Sequence, residues 1–185
     1  MTMKKLFFAI LMCVAAMSAK AQVLTSETVN HIYFVAVSDQ TNSDFCFNAE
    51  RNGNDITAMY VYEKTFDRKG NMTLTPHLKH VYDYAADGTL NSRVTYRWND
   101  AQEEWECTSR YEYILTDEIY YAKYSRYNHQ TNSFDEPTEK MVYTMFPDYS
   151  INHVISYHRD SPSVPFQLMS ETSVSEQPWL FAWFN

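Results

Sequence analysis

Arg97-Trp98-Asn99 followed by Trp105-Glu106 returns 29 residues later as Arg126-Tyr127-Asn128 followed by Phe134-Asp135. The same offset carries Tyr82 and Tyr84 onto Tyr111 and Tyr113, and Leu90 onto Ile119. A repeat of this length with apolar residues at every second position holds two strands and two turns, one β-hairpin per repeat. Ser92 to Trp98 alternates strictly, with Val94, Tyr96 and Trp98 on one face and Arg93, Thr95 and Arg97 on the other. Tyr111, Tyr113 and Leu115 make the next apolar face, opposed by Arg110 and Glu112. Lys140 to Met145, His153 to Tyr157 and Phe166 to Val174 continue the series of expected strands.

Turn residues separate these segments. Asp87-Gly88 between Tyr82-Asp83-Tyr84 and Thr89-Leu90 is a hairpin signal, because glycine accepts a positive φ. Asn99-Asp100 and Asn128-His129 open equivalent polar loops, closed by Trp105 and Phe134. Asn52-Gly53-Asn54 and Lys69-Gly70-Asn71 mark earlier turns, and Pro147-Asp148 and Ser161-Pro162 later ones. Turns at intervals of roughly 12 to 16 residues predict an all-β chain, an antiparallel meander of repeated hairpins. The repeat is imperfect: Val94, Tyr96 and Trp98 map to Lys123, Ser125 and Tyr127, whereas Thr95 maps to Tyr124. Rings thus change face between copies, which suits an open twisted sheet or a sandwich. Val29 to Val37, apolar and rich in β-branched and aromatic residues, reads as a further strand, with a short helix as the weaker option.

The N-terminus predicts export. Lys4 and Lys5 precede the apolar run Leu6 to Ala16, too short for a stable membrane anchor, and Ala19-Lys20-Ala21 supplies a small-x-small cleavage pattern. Met12 before Cys13 is not the small residue of a lipoprotein site. The expected organisation is a signal peptide at 1–21 and a single domain at 22–185, in the periplasm or outside the cell, with an apolar tail from about 176. That tail, Gln177-Pro178-Trp179-Leu180-Phe181-Ala182-Trp183-Phe184-Asn185, reads as a last strand or plug, or as a segment inserted into a partner or a membrane. No other segment approaches the roughly 18 apolar residues of a membrane helix.

Removing residues 1–21 takes away three lysines and no acids, leaving 12 basic and 23 acidic residues and a net charge of −11. Such a chain is repelled by phosphate backbones and by anionic lipid surfaces, so no nucleic-acid partner is expected. Phe, Trp and Tyr make up 16% of the sequence, so the core must be built largely from rings. Cys46 and Cys107 either bridge, closing a loop of about 60 residues worth roughly 4 kcal/mol, or remain two separate packed thiols.

Gly53, Gly70 and Gly88 are the only glycines, so no phosphate-cradling loop and no glycine-flanked serine elbow exists. His77 and His80 are three apart, on opposite faces of a regular strand, which does not make a metal site. No cofactor is expected. The acids Glu103-Glu104-Glu106, Asp117-Glu118 and Asp135-Glu136 allow a carboxylate-pair hydrolase acting on glycans, although charged loop tips usually only solvate a turn. The sharper candidates are Trp98, Trp105, Tyr127 and Phe134 with Arg97 and Arg126: flat rings beside hydrogen-bonding groups stack on sugars or hold a peptide. Repeat position favours the other reading, because recurring rings are what a repeating core requires, the arginines then stacking on rings or pairing with Glu112.

Two resemblances appear at these residues. Tyr82-Asp83-Tyr84-Ala85-Ala86-Asp87-Gly88-Thr89-Leu90 resembles one unit of the tyrosine–aspartate repeats of large bacterial surface proteins. Tyr96-Arg97-Trp98-Asn99, Trp105-Glu106, Ser109-Arg110-Tyr111-Glu112-Tyr113, Phe134-Asp135-Glu136-Pro137 and Glu139-Lys140-Met141-Val142-Tyr143 resemble a family of small secreted proteins of Gram-negative gut bacteria, domain of unknown function 3836. With the export signal this likeness covers roughly residues 1–175. It implies a secreted β-rich protein and contributes no activity, cofactor or site. The expected function is therefore a secreted, non-enzymatic binding or structural module with a glycan or protein partner, the hydrolase being the alternative.

Overall fold

The computed structural model describes residues 23–116, 119–145 and 151–173. The expected signal peptide, the Asp117-Glu118 and Pro147-Asp148 turns and the apolar tail lie outside the described residues. Among the described residues one helix, α1 (Ser26–Asp39), precedes ten strands: β1 (Phe45–Asn52), β2 (Asp55–Phe66), β3 (Met72–Tyr84), β4 (Leu90–Asn99), β5 (Glu104–Leu115), β6 (Ile119–Asn128), β7 (Ser133–Phe134), β8 (Glu139–Met145), β9 (Ile151–His158) and β10 (Gln167–Ser173). The strand order is β1-β2-β3-β4-β5-β6-β8-β9-β10, with β7 paired to β6. Every pairing with a described register is antiparallel. The sheet is a meander, open at β1 and β10 rather than closed into a barrel.

The chain divides into two compact units, Thr25–Ser109 and the remainder, whose described part is Val23, Leu24 and the residues from Arg110 onward. In the first unit, the segment expected as a strand at Val29 to Val37 is helical instead. Thr25 caps it reciprocally with Thr28, its side chain accepting from the Thr28 N–H at 3.4 Å, and Glu27 sits in the first turn. Val29 and Ala36 are buried seven residues apart, with half-buried Ile32 and Tyr33 between them, so the apolar stripe has helical period. Tertiary docking overrides strand propensity: α1 packs on β1 and β2. Arg51 donates to Asn30 Oδ1 at 2.6 Å and lies 5.6 Å from the Tyr33 ring. Ile56, opposite Arg51 in the ladder, is 0% exposed. Met59 and Val61 are buried beside it.

The β3–β4 turn is the expected one. Gly88 has φ +83°, and the Asp87 carboxylate accepts the Thr89 N–H at 2.9 Å. Ser26 donates its N–H to Gly88 O at 2.9 Å, so this turn also receives the start of α1. A bulge revises one expectation. Val61 faces Leu78 and Tyr62 faces Pro76, leaving His77 as the extra residue. His77 therefore reaches Phe45, ring centroids 5.3 Å apart, on the face that also carries Leu78 and His80. Alternation had put the two histidines on opposite faces; the inserted residue reverses that. No metal-binding cluster forms among the described residues.

Cys46 and Cys107 form no disulfide. They sit on β1 and β5, four strand steps apart, about 19 Å across a flat sheet against the 4.4–6.8 Å a bridge needs.

The second unit is held by tyrosines. Tyr113 and Tyr120 stack at 6.2 Å, and Tyr120 meets Tyr143 at 5.3 Å. Tyr120 lies opposite Tyr143, which lies opposite Val154, and all three are buried. Enclosure pushes the Tyr120 and Tyr143 hydroxyl pKa values well up, so both remain neutral. Arg159 fastens the far end, donating to Pro137 O at 2.6 Å and Pro162 O at 3.1 Å, with its guanidinium 4.6 Å from the Phe166 ring.

Candidate functional site

The 29-residue repeat is a repeat of geometry. Trp98 and Trp105 meet edge to face, 5.2 Å apart at 68°, across the β4–β5 hairpin. Tyr127 and Phe134 meet 5.2 Å apart at 74° across β6–β7. Asn99 Oδ1 accepts the Ala101 and Gln102 N–H groups at 2.9 and 3.3 Å while its Nδ2 donates to Glu106 at 2.5 Å. Asn128 Oδ1 accepts the Gln130 and Thr131 N–H groups at 3.0 and 3.4 Å while its Nδ2 donates to Asp135 at 3.1 Å. Both loops then pass through a positive φ, Glu103 at 54° and Asn132 at 50°. The Tyr-x-Tyr pairs repeat as well, Tyr82–Tyr84 stacking at 6.4 Å and Tyr111–Tyr113 at 6.3 Å.

What surrounds the two ring pairs differs. In the first unit, Tyr60 reaches within 6.0 Å of Trp105 and stacks with Tyr62 at 6.5 Å. Lys79 lies 5.1 Å from the Tyr60 ring and 5.9 Å from that of Tyr96. β2 and β5 are three steps apart, so Tyr60 and Trp105 lean toward one another across the intervening strands to make this contact. These rings form a half-buried aromatic surface on the face away from α1. Polar groups rim it. The Tyr60 hydroxyl donates to Glu50 at 2.7 Å, and burial followed by Glu50 pushes its pKa up to about 12.

In the second unit the ring face is occupied. The Arg110 guanidinium sits 4.4 Å from the Phe134 centroid and pairs with Glu112 at 3.1 Å. His129 abuts Tyr127 at 5.2 Å. The arginine on the ring is Arg110, not Arg97 or Arg126 as the sequence suggested. Arg97 and Arg126 are exposed, and strand alternation sends each to the face opposite its neighbouring Trp98 or Tyr127. The structure thus brings Trp98 and Trp105 together, pairs Tyr127 with Phe134 separately, and leaves both candidate arginines out. It adds Tyr60, Tyr62, Lys79 and Tyr96. Tyr60-x-Tyr62 was a readable signal, a third copy of the Tyr-x-Tyr pattern; Lys79 carried none.

The loop acids have structural partners. Glu106 and Asp135 accept from Asn99 and Asn128, and Glu136 pairs with Arg159 at 3.3 Å. Asp67 and Asp87 accept turn donors that hold their carboxyls below the usual range.

No functionally curated protein matches the chain. A crystal structure of a protein of unknown function from Bacteroides fragilis is similar, with TM-score 0.60 and 21% identity, covering 72% of this chain and 95% of that one. It has the same fold. Two DUF3836 proteins of known structure are also similar. The one from Bacteroides vulgatus has TM-score 0.45 and 18% identity over 50% of this chain and 89% of its own. The one from Parabacteroides distasonis has TM-score 0.45 and 14% identity over 75% and 97%. The family of unknown function DUF3836 matches residues 1–145, most of the chain, and this protein belongs to it.

Proposed function

We propose that the chain is an exported, non-enzymatic binding module of the cell envelope or exterior, and that the Tyr60–Trp98–Trp105 surface takes a glycan. One observation carries this reading: the ring pair of the first hairpin is extended by a third ring, Tyr60, whereas its copy in the second has an arginine over the Phe134 face. Half-exposed indoles stack on the apolar face of a sugar at little entropic cost, and Lys79, Glu50, Asn99 and Gln102 supply hydrogen bonds at the rim. The leader-like residues 4–21 support export. The glycan-hydrolase alternative has less support, because its loop carboxylates already serve turns and an ion pair.

The test is a glycan array followed by titration of each positive oligosaccharide against the tryptophan fluorescence of the exported chain. Trp98→Ala and Trp105→Ala should each weaken binding by about tenfold or more, with Phe134→Ala binding as wild type. Unchanged affinity in both tryptophan variants overturns the site, and product release from the oligosaccharide overturns the non-enzymatic reading.

A further inference from the structure

The β2–β3 hairpin outruns its neighbours. Glu63 is the last β2 residue with a register partner on β1, and the register with β4 begins only at Leu78. Thr65 and Phe66 with Met72 and Thr73 therefore form a two-stranded finger, paired through Phe66↔Met72 and Thr65↔Thr73, above a base at Lys64↔Leu74 where Lys64 donates its N–H to Asp44 O at 2.8 Å and its ammonium to Ser43 O at 2.9 Å. Directly opposed residues share a face, so Phe66, Met72 and Leu74 line one side and Thr65 and Thr73 the other. Phe66 is 65% exposed, Met72 52% and Leu74 43%, three adjoining apolar side chains facing water on one projection.

The turn at its end is rigid and locally basic. Asp67 accepts the Lys69 N–H at 2.7 Å, the Asn71 N–H at 2.9 Å and Asn71 Nδ2 at 2.7 Å, and Gly70 takes φ +82°. Its carboxylate is thus directed into the turn, while Arg68 and Lys69 are exposed at the tip. This lies on a chain whose formal net charge is −8.

We propose that this finger docks the protein on an anionic lipid surface, with Phe66, Met72 and Leu74 entering the interfacial layer and Arg68 and Lys69 meeting headgroup phosphates. Charge selects the occupant and the orientation. An acidic chain is repelled from such a surface except where cations gather, and at physiological salt that repulsion fades beyond about 8 Å. The apolar strip lies on one side of a hairpin end, which suits the interfacial layer of a lipid surface. The proposal does not rest on the glycan reading.

The exported chain is sedimented with phosphatidylcholine vesicles with and without phosphatidylglycerol. Wild type should partition onto the mixed vesicles, and Phe66→Ser with Met72→Ser should weaken partitioning by about tenfold or more at unchanged circular dichroism. Arg68→Glu with Lys69→Glu should abolish the preference for phosphatidylglycerol and its salt sensitivity. Trp98→Ala should partition as wild type, which separates this outcome from that of the glycan test. Wild type remaining in the supernatant overturns the proposal. So does wild-type partitioning of the Phe66→Ser/Met72→Ser chain, which would move the contact elsewhere, or a concentration-dependent dimer that this variant dissociates, which would make the finger a self-association surface.

Discussion

Exchanging the residues at the two positive-φ positions tests whether the hairpin loops are one structural device used twice. Glu103 at φ 54° and Asn132 at φ 50° occupy the same place in the repeat, and both side chains are exposed. The Glu103 N–H donates to Asn99 O at 2.8 Å, so the loop holds the left-handed conformation whatever residue stands there. An ordinary L-residue in that region carries about 1–2 kcal/mol of strain, and asparagine less. Glu103→Asn should therefore stabilise by about 0.5–1 kcal/mol, and Asn132→Glu should destabilise by a similar amount. With a urea m-value of about 2 kcal/mol/M, the midpoint should move by roughly 0.3–0.5 M, up in one variant and down in the other, at unchanged slope. Glycine at 103 should help less, because its greater unfolded-state freedom offsets the relief. A Glu103→Asn chain less stable than wild type, or an Asn132→Glu chain of unchanged midpoint, would refute the equivalence of the loops.

Further outcomes follow from the packing. Enclosure, then Arg93, pushes the His80 pKa down to about 3, so the native state resists a proton that the unfolded chain binds near 6.5. Stability should be full above about pH 6.5 and fall as pH drops toward 3, by about 1–2 kcal/mol at pH 5; urea unfolding of His80→Gln should lose part of this acid slope, and an identical slope would count against it. Arg110→Ala should cost the second unit about 1 kcal/mol through the lost contact with Phe134 and the partly exposed pair with Glu112, read as a lower Tm; an unchanged Tm would mean that the ring needs no cover. Ile56→Ala should cost about 2–4 kcal/mol in chemical unfolding, whereas Phe34→Ser, on the exposed side of α1, should change stability by less than about 0.5 kcal/mol; equal costs would contradict the placement of the helix.

Strands were legible where alternation and turn chemistry agreed. Ser92 to Trp98 lies within β4 because Val94, Tyr96 and Trp98 share a face and Asn99 begins a loop that its own side chain closes. The helix was missed because Val29 to Val37 has strand composition and its cap uses Thr25 with Thr28 rather than the glutamate that marks such a box in sequence. What selects it, contact with β1 and β2, is nonlocal, and the helical stripe of Val29, Ile32, Tyr33 and Ala36 is masked by the strand-forming residues around it. The bulge at His77 was equally invisible, since one inserted residue changes the face of a side chain without changing composition. Half of the site was readable: Trp98 and Trp105 followed from the 29-residue spacing. Tyr60 and Lys79 come from strands outside that pairing, and only the nonlocal register of β2, β3 and β4 brings them in.

The two hairpins also separate what holds the fold from what is available to bind. Asn99 and Asn128 do the same job with the same donors, and both ring pairs cross at 5.2 Å, so the loop and the edge-to-face contact are requirements of the hairpin. Folding alone would be served by the smaller rings, since Tyr127 and Phe134 make that contact as well as two indoles do. The first hairpin nevertheless carries the two largest side chains available, with Tyr60 beside them, while the second places Arg110 over its phenylalanine. A ring that only braces a hairpin can be covered without loss, whereas one that receives a ligand must keep a face open. On the proposed reading the binding role therefore falls on Trp98 and Trp105, with Tyr127 and Phe134 as their structural counterpart.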